Sequence, residues 1–357
     1  MKILFLTQTS QTGPASRYRA YQYVPLLEKE GISCAISPAL PERYFSAFYL
    51  SRNVWQKLPF CLLIVIRRFL DLFRVRSYDV IFIQREIMPQ AFPLYEKIIA
   101  FLNKNVVFDF DDAIFLVPPQ RKSLVYLFRC GNNIERIVRL SRLVITGNDY
   151  LKKYALRFNS NIEVLPTSID TGRWQPGKKE KKEKIVVGWI GSMHTIMYLE
   201  TINGALKELA GDFPLRVLVI GTRNFAIKGV EVICRPWGFD SEVSDVNEMD
   251  IGLAPLFDDD WGKGKCGLKA LQYMACGVPV VCSNAGVYKE MIRDGENGFL
   301  AQTQSEWKEK LACLLRDAGL RGKIGDAGRR TVEKSYSLSV NAGRLKLLLE
   351  ENFSPTG

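Results

Sequence analysis

The feature that most constrains this chain is an alternation that runs twice. Short β-rich apolar runs alternate with helical patterns from Lys2 to Leu165, and the pattern restarts from Ile185 to Ala301. Such spacing specifies parallel strands joined by crossover helices, because a parallel strand needs a connection long enough to return to its starting edge. The first series places strands at Lys2–Thr7, Ile32–Ser37, Asp79–Gln84, Val106–Phe110, Leu143–Thr146 and Glu163–Leu165. Helices are expected between them near 17–30, with a kink at Pro25, and near 91–103, 121–140 and 148–158. The second series places strands at Ile185–Ile190, Arg216–Ile220, Glu231–Cys234, Ile251–Pro255, Pro279–Ser283 and Phe299–Ala301. Between the two lies Ser168–Lys184, SIDTGRWQPGKKEKKEK, which has no apolar periodicity, a Pro-Gly pair and a dense charge cluster. It reads as an interdomain linker. With 357 residues, too many for one ordinary core, the expected architecture is α/β: two Rossmann-like doubly wound parallel-sheet domains, 1–167 and 185–357, facing a cleft. The last helix, near 337–351, is one that would pack back on the first domain.

Composition removes other classes. At 47% hydrophobic and 24% charged, the chain is a soluble globular protein rather than a disordered or collagenous one. No apolar run reaches the roughly 18 residues that span a bilayer, and the opening run reads as a buried strand rather than a signal peptide. The eight cysteines form no CxxC pair, which favours reduced thiols and a cytoplasmic location over disulfides or zinc.

The formal net charge of +11 is unevenly spread. Residues 1–167 hold 23 Lys and Arg against 13 Asp and Glu, whereas the remainder is nearly balanced. Much of the surplus falls in residues 43–78, where Arg43, Arg52, Lys57, Arg67, Arg68, Arg74 and Arg76 interleave with Tyr44, Phe45, Phe48, Tyr49, Trp55, Phe60, Phe69 and Phe73. A helix of this kind suits the surface of an anionic leaflet. A core-facing helix with a solvated basic rim is the plainer alternative. No recognised motif supports nucleic-acid binding.

The chemistry concentrates in Asp258–Leu300. A strand runs into the Gly-rich, Lys-bearing loop DDDWGKGKCG and then into a helix starting near Gly267. The N–H groups and positive dipole end of that helix form an anion site, with Lys265 and Lys269 adding charge beside it. Gly262, Gly264 and Gly267 let backbone approach phosphate oxygens. The loop is not a Walker motif, since GxxxxGK[ST] is absent.

Lys265–Val281, followed by Gly286-Val-Tyr-Lys-Glu290 and Asp294-Gly-Glu-Asn-Gly298-Phe-Leu, resembles the donor-site region of family 4 glycosyltransferases of the group 1 type, which have the GT-B fold. Val187-Gly-Trp-Ile-Gly191-Ser is similar to the opening of that family's second domain. Val164-Leu-Pro-Thr-Ser-Ile-Asp170 and Gly13-Pro-Ala-Ser-Arg-Tyr-Arg19 match two further segments. The resemblance implies a nucleotide-sugar donor, a UDP- or GDP-sugar, on the second domain and an acceptor on the first. It also implies retention at the anomeric carbon and no required metal or other cofactor. The donor-binding residues it implies are Gly191, Ser192, His194, Arg235, Trp237, Lys265, Cys266, Gly267, Leu268 and Gln272. The sequence departs from the family at its two glutamates with seven residues between them, which fall on Gly264 and Gln272. An amide can still bond a ribose hydroxyl; Gly264 can do nothing with a side chain, and its role would pass to Asp258, Asp259, Asp260 or backbone N–H groups.

Other candidates carry open alternatives. Asp109-Phe-Asp111-Asp112 ends a strand and reads as an acceptor-side carboxylate cluster, with Asp111 and Asp112 catalytic alongside Lys265. An Asp-x-Asp metal motif and simple helix capping are its rivals. Gly13, Arg17, Glu86 and Asp109 complete the expected acceptor side. His194, the sole histidine, is either a neutral donor at a helix start or a solvated loop residue. Trp237 either stacks on the base or packs on a neighbouring helix. The expected function is therefore a peripheral-membrane retaining glycosyltransferase at the inner face of the cell membrane. It would build a cell-envelope polysaccharide such as lipopolysaccharide on a glycan or lipid-linked acceptor. A nucleotide-sugar epimerase and a non-catalytic nucleotide-sugar-binding scaffold are the rivals.

Overall fold

The computed structural model describes residues 1–51, 53–88, 92–116, 132–178 and 182–354. They form two units: Met1–Thr167 with Leu338–Gly357, and Ser168–Ser337. Each is a six-stranded parallel α/β sheet. The twelve strands are β1 Lys2–Thr9, β2 Ser33–Leu40, β3 Val80–Gln84, β4 Val106–Phe110, β5 Leu143–Thr146, β6 Ile162–Val164, β7 Ile185–Ile190, β8 Leu215–Ile220, β9 Val232–Arg235, β10 Ile251–Ala254, β11 Val280–Ser283 and β12 Phe299–Ala301. Every strand boundary lies within three residues of its expected place, the largest difference being β2, which runs on to Leu40. Period-free apolar runs such as VIFIQ and LVIT are what a strand covered on both faces requires.

In the first unit the order is β2-β1-β3-β4-β5-β6, so the order reverses between β1 and β3. The core is built from Ile3, Phe5, Phe82, Val107 and Ile145 together with one stripe of the helix Leu338–Phe353: Leu338, Ala342, Leu345, Leu349 and Phe353. Their spacing places all five on one helical face. Lys346 ties this helix to Glu30 at 2.7 Å. Pro25 does not kink a long helix. The chain forms a π-helical turn at Arg17–Tyr21 and starts a separate helix at Val24–Lys29, where Pro25 occupies the first turn and its missing N–H costs nothing. Of the helix expected at 121–140, the described part is Asn133–Leu140; residues 121–131 lie outside the described residues, as does Arg52.

The second unit has the order β12-β11-β10-β7-β8-β9, reversing between β7 and β10. Residues 168–178 belong to it. Ile169 pairs with Ser337, Trp174 is buried, and Arg329 donates to the carbonyls of Thr171, Trp174 and Ala275. The polar composition of this segment hides two apolar anchors.

Residues 43–78 form two helices, Glu42–Leu50 and Val54–Arg74. The longer one is inverted. Its inward face carries the buried pair Arg68–Asp71 at 2.8 Å, with Arg68 donating to Ser37 O and Asp71 accepting from Ser37 Oγ. Its outward face exposes Trp55 (81%), Leu62 (59%), Phe69 (54%) and Phe73 (72%).

Behind that helix Glu96 is buried. One carboxyl oxygen accepts the N–H of Ile87 at 2.8 Å; the other has no partner among the described residues. Desolvation first, and then Glu86, push its pKa up to about 7. The folded protein therefore keeps a proton that the unfolded chain releases above about 4.5. Stability should fall as pH rises from 4.5 toward 7, by no more than about 3 kcal/mol. Urea unfolding at acidic and neutral pH should show this slope, and Glu96→Gln should flatten it; an unchanged slope in the variant would refute the assignment.

Candidate functional site

Open parallel sheets expose loop backbone and side chains where strand order reverses. In the second unit that place is the carboxyl end of the β7–β10 pair, and the anion-binding loop lies there. After β10 the chain makes a short helix, Asp260–Lys263, and a longer one, Leu268–Ala275. Gly267 caps the second helix with φ 74°, a conformation that L side chains rarely adopt. A Cβ there would also meet Met291 Cε at 2.6 Å. Only glycine turns the chain here, and the turn leaves the first helical N–H groups without side-chain caps.

The loop's three aspartates are engaged locally. Asp259 accepts the N–H of Gly262 at 2.6 Å as a helix cap, Asp260 pairs with Lys263 at 3.1 Å, and Asp258 pairs with Lys289 at 3.5 Å. Gly264 closes the short helix. Lys265 lies 4.8 Å from the Trp261 ring, and Lys269 lies 4.0 Å from the Trp189 ring. Gly191 directly follows β7, and a Cβ built on it would come within 2.8 Å of Lys269 Nζ. The loop after β7 and the start of the helix therefore converge. Cys266 and Leu268 flank Gly267, and Gln272 sits one turn on, buried at 4% exposure.

Ser192 and His194 are exposed in a tight turn where Ser192 N donates to Thr195 Oγ1 at 3.0 Å. Arg235 is held by Asp245 and Glu248 at 2.9 and 2.8 Å, and Trp237 Nε1 donates to Glu242 at 2.9 Å. Trp237 is thus tied to the neighbouring helix and remains partly exposed. Both side chains brace the segment after β9.

A residue that sequence reasoning passed over aligns this region. The Tyr273 hydroxyl accepts the N–H of Ile190 at 2.8 Å and donates to the carbonyl of Leu253 at 3.2 Å. It thereby fixes the helix Leu268–Ala275 to both β7 and β10. Its ring lies against Gly252, where a Cβ would stand 2.5 Å from Cγ.

In the first unit the β1–β3 reversal brings Gly13, Arg17, Glu86 and the β4 carboxylates to one sheet end. Asp109 is not an accessible acceptor-side group. It is fully buried against Arg19, whose Nε donates at 3.1 and 3.2 Å while Nη1 reaches Leu165 O at 2.6 Å. Burial raises the Asp109 pKa, and Arg19 opposes that rise. Asp111 accepts two bonds from Arg85 at 2.9 and 2.7 Å, and Asp112 lies 3.7 Å from the same guanidinium. Arg85 reaches them from a left-handed backbone, φ 59°, a conformation stored at few non-glycine sites. Gln84, beside Asp109 in register, accepts from Ser16 Oγ at 3.1 Å, and its buried Nε2 has no partner among the described residues. Arg17 and Glu86 are both 7% exposed. Among the described residues no three His, Cys, Asp or Glu converge as a metal site.

Two parallel six-stranded units of this order define the GT-B fold. Residues 184–317 match the family of group 1 glycosyl transferases. The D-inositol 3-phosphate glycosyltransferase of Corynebacterium jeikeium is 24% identical over 222 residues, 53% of this chain and 52% of that protein. An uncharacterised glycosyltransferase of Methanocaldococcus jannaschii is 28% identical over 147 residues, 38% of this chain and 40% of that one. The chain thus spans about half the length of the curated relatives it matches. Among solved structures, sucrose-phosphate synthase of Thermosynechococcus elongatus superposes with a TM-score of 0.71 at 14% identity, covering 100% of both chains. Anabaena HepE in complex with UDP-glucose gives 0.67 at 14%, covering 98% and 100%.

Replacing Tyr273 by Phe leaves the buried Ile190 N–H unpaired. The expected loss is about 1–3 kcal/mol, seen as a lower melting temperature with the fold retained. An unchanged melting temperature would show that the hydroxyl tie carries no stability.

Proposed function

We propose that this protein is a retaining glycosyltransferase that moves a sugar from a nucleoside-diphosphate sugar, UDP- or GDP-linked, to a cell-envelope glycan or lipid-linked acceptor. The observation that carries the reading is the cationic cradle at the β7–β10 reversal: uncapped N–H groups after Gly267, with Lys265 and Lys269 beside them. Charge develops on the leaving diphosphate as the glycosidic bond breaks. Preorganised N–H dipoles and ammonium groups stabilise it without solvent reorganisation, often the largest single catalytic contribution. In this reading the lysines supply what a divalent cation supplies elsewhere, and the reaction is metal-independent. Gln272 contacts the ribose, with Gly191, Ser192 and His194 approaching from the other loop. Asp111 and Asp112, oriented by Arg85, accept hydrogen bonds from acceptor hydroxyls.

The first unit supports a peripheral location at the inner face of the cell membrane. No helix among the described residues is long and apolar enough to cross a membrane. Helix Val54–Arg74 instead turns an apolar stripe outward, and Arg43, Arg74 and Arg76 lie exposed near it. Aromatic and aliphatic side chains at headgroup depth, with cations at the rim, fit an anionic leaflet.

Two measurements test this reading. Lys265→Ala should weaken nucleoside-diphosphate binding at least tenfold, about the 1.4 kcal/mol expected of one lost charge-assisted contact, in EDTA as in magnesium. Unchanged binding and donor turnover would overturn the cradle, and binding without any nucleoside-diphosphate release in the presence of envelope lipid extract would favour a non-catalytic binder. In vesicle co-sedimentation, the protein should bind phosphatidylglycerol-containing vesicles and not pure phosphatidylcholine. Trp55→Ser with Phe73→Ser should reduce that binding at least tenfold; equal binding by the variant would remove the helix from the interface.

A further inference from the structure

Lys269 is unlike the other cations of its loop. Lys263 and Lys289 each have a carboxylate partner, Asp260 and Asp258, and Asp259 is engaged as a helix cap. No aspartate of the loop is left for Lys269. Its amine is instead packed over the Trp189 ring at 4.0 Å and against the backbone of Gly191. Trp189 is itself fully buried. The charged group that acts on it from its own segment is Lys265, of like sign, and the positive end of the helix dipole lies within the same turn. From β7 and the loop after it come only an indole ring, backbone and the exposed His194. The half-buried ammonium keeps the attraction of the indole face, while desolvation and the like charge of Lys265 act against it, until an anion arrives between Gly191 and Gly267.

We propose that Lys269 is a diphosphate-binding residue that takes up a proton as the donor binds, so that affinity for the nucleoside diphosphate depends on pH. The inference rests on the donor-site reading above and adds to it the proton and the residue that carries it. Desolvation, and then Lys265, lower the pKa of the empty-site amine to about 7, so near neutrality about half of the molecules hold a neutral amine there. A diphosphate brings two or three negative charges to the amine and returns it to the ordinary lysine range. The proton comes from the buffer. Since breaking the sugar–phosphate bond adds one negative charge to the diphosphate, the lysine is fully charged when that charge develops.

The test is isothermal titration of the full chain with UDP, GDP and ADP, in phosphate and in Tris, from pH 6.5 to 8.5. Net uptake should be about half a proton at pH 7 and approach one at pH 8.5, and affinity should fall about tenfold per pH unit above 7. In Lys269→Met the uptake should vanish, with weak binding that no longer varies over the alkaline range. Lys269→Arg keeps its charge throughout, so it should bind at pH 8.5 as it does at 7 and take up no proton; it also shows that the position tolerates replacement. Binding of a nucleoside diphosphate without proton uptake at pH 8, or uptake that persists in Lys269→Met, would overturn the inference and leave the donor site standing. Failure of all three nucleotides to bind the unmodified protein would instead overturn the donor-site reading, and this inference with it.

Discussion

The phenol of Tyr273 accepts the N–H at the end of β7 and donates to a carbonyl of β10, the two strands between which the second sheet reverses. A helix that follows a parallel strand has freedom to slide and roll on the sheet, because side-chain packing alone tolerates alternatives. A buried hydroxyl with two backbone partners removes that freedom, since any displacement leaves buried polar groups unpaired. The N–H groups after Gly267 are therefore aimed by the sheet and not by the loop that precedes them. Anion recognition by backbone dipoles depends on such fixed aim, and Lys265 and Lys269 add charge to a geometry already set.

The first unit solves the corresponding problem with an ion pair. Asp109 stands in a strand covered on both faces, where a lone carboxylate would be costly. Arg19 compensates it with a multiply bonded fork and reaches on to Leu165 O of the segment after β6. A buried pair of this kind is weak evidence of net stability, because desolvation opposes the attraction. Its effect here is positional. Asp109 O holds the N–H of Arg85 at 2.7 Å, and the left-handed turn at Arg85 sends its guanidinium to Asp111 and Asp112. The backbone of Asp109 thus sets the turn from which Arg85 orients the two partly buried carboxylates.

The sheets were legible in the sequence because buried parallel strands leave period-free apolar runs that little else produces. All twelve strands could be placed that way. The anion loop was legible for a related reason: glycine at the helix start and lysine beside it have few other uses together. What stayed hidden was partnership. Asp109, Asp111 and Asp112 read as one cluster, yet β4 ends at Phe110, so Asp109 lies within the sheet and the other two in the loop beyond it, and Arg19 takes the first while Arg85 takes the others. Arg235 and Trp237 carry chemistry suited to a nucleotide, and the acidic residues that engage them, Glu242, Asp245 and Glu248, lie on the next helix and at its C-terminal cap. Tyr273 belongs to no motif that marks it, and its hydroxyl partners are backbone groups 83 and 20 residues away.

The helix Val54–Arg74 shows how far pattern can fall short of orientation. Its sequence contains an apolar stripe and a polar face, and the ordinary expectation points the stripe inward. The polar face holds the opposite instruction. Arg68 and Asp71, three residues apart, bond each other and the backbone and hydroxyl of Ser37, contacts available only on the inner side. Rolling the helix to bury Trp55, Leu62, Phe69 and Phe73 would strip those partners from a buried guanidinium and carboxylate, at a cost of several kcal/mol. The rotation of the helix is therefore specified by its two charged residues. The outward apolar stripe is as much a part of the fold as the core, a surface held open by an ion pair beneath it.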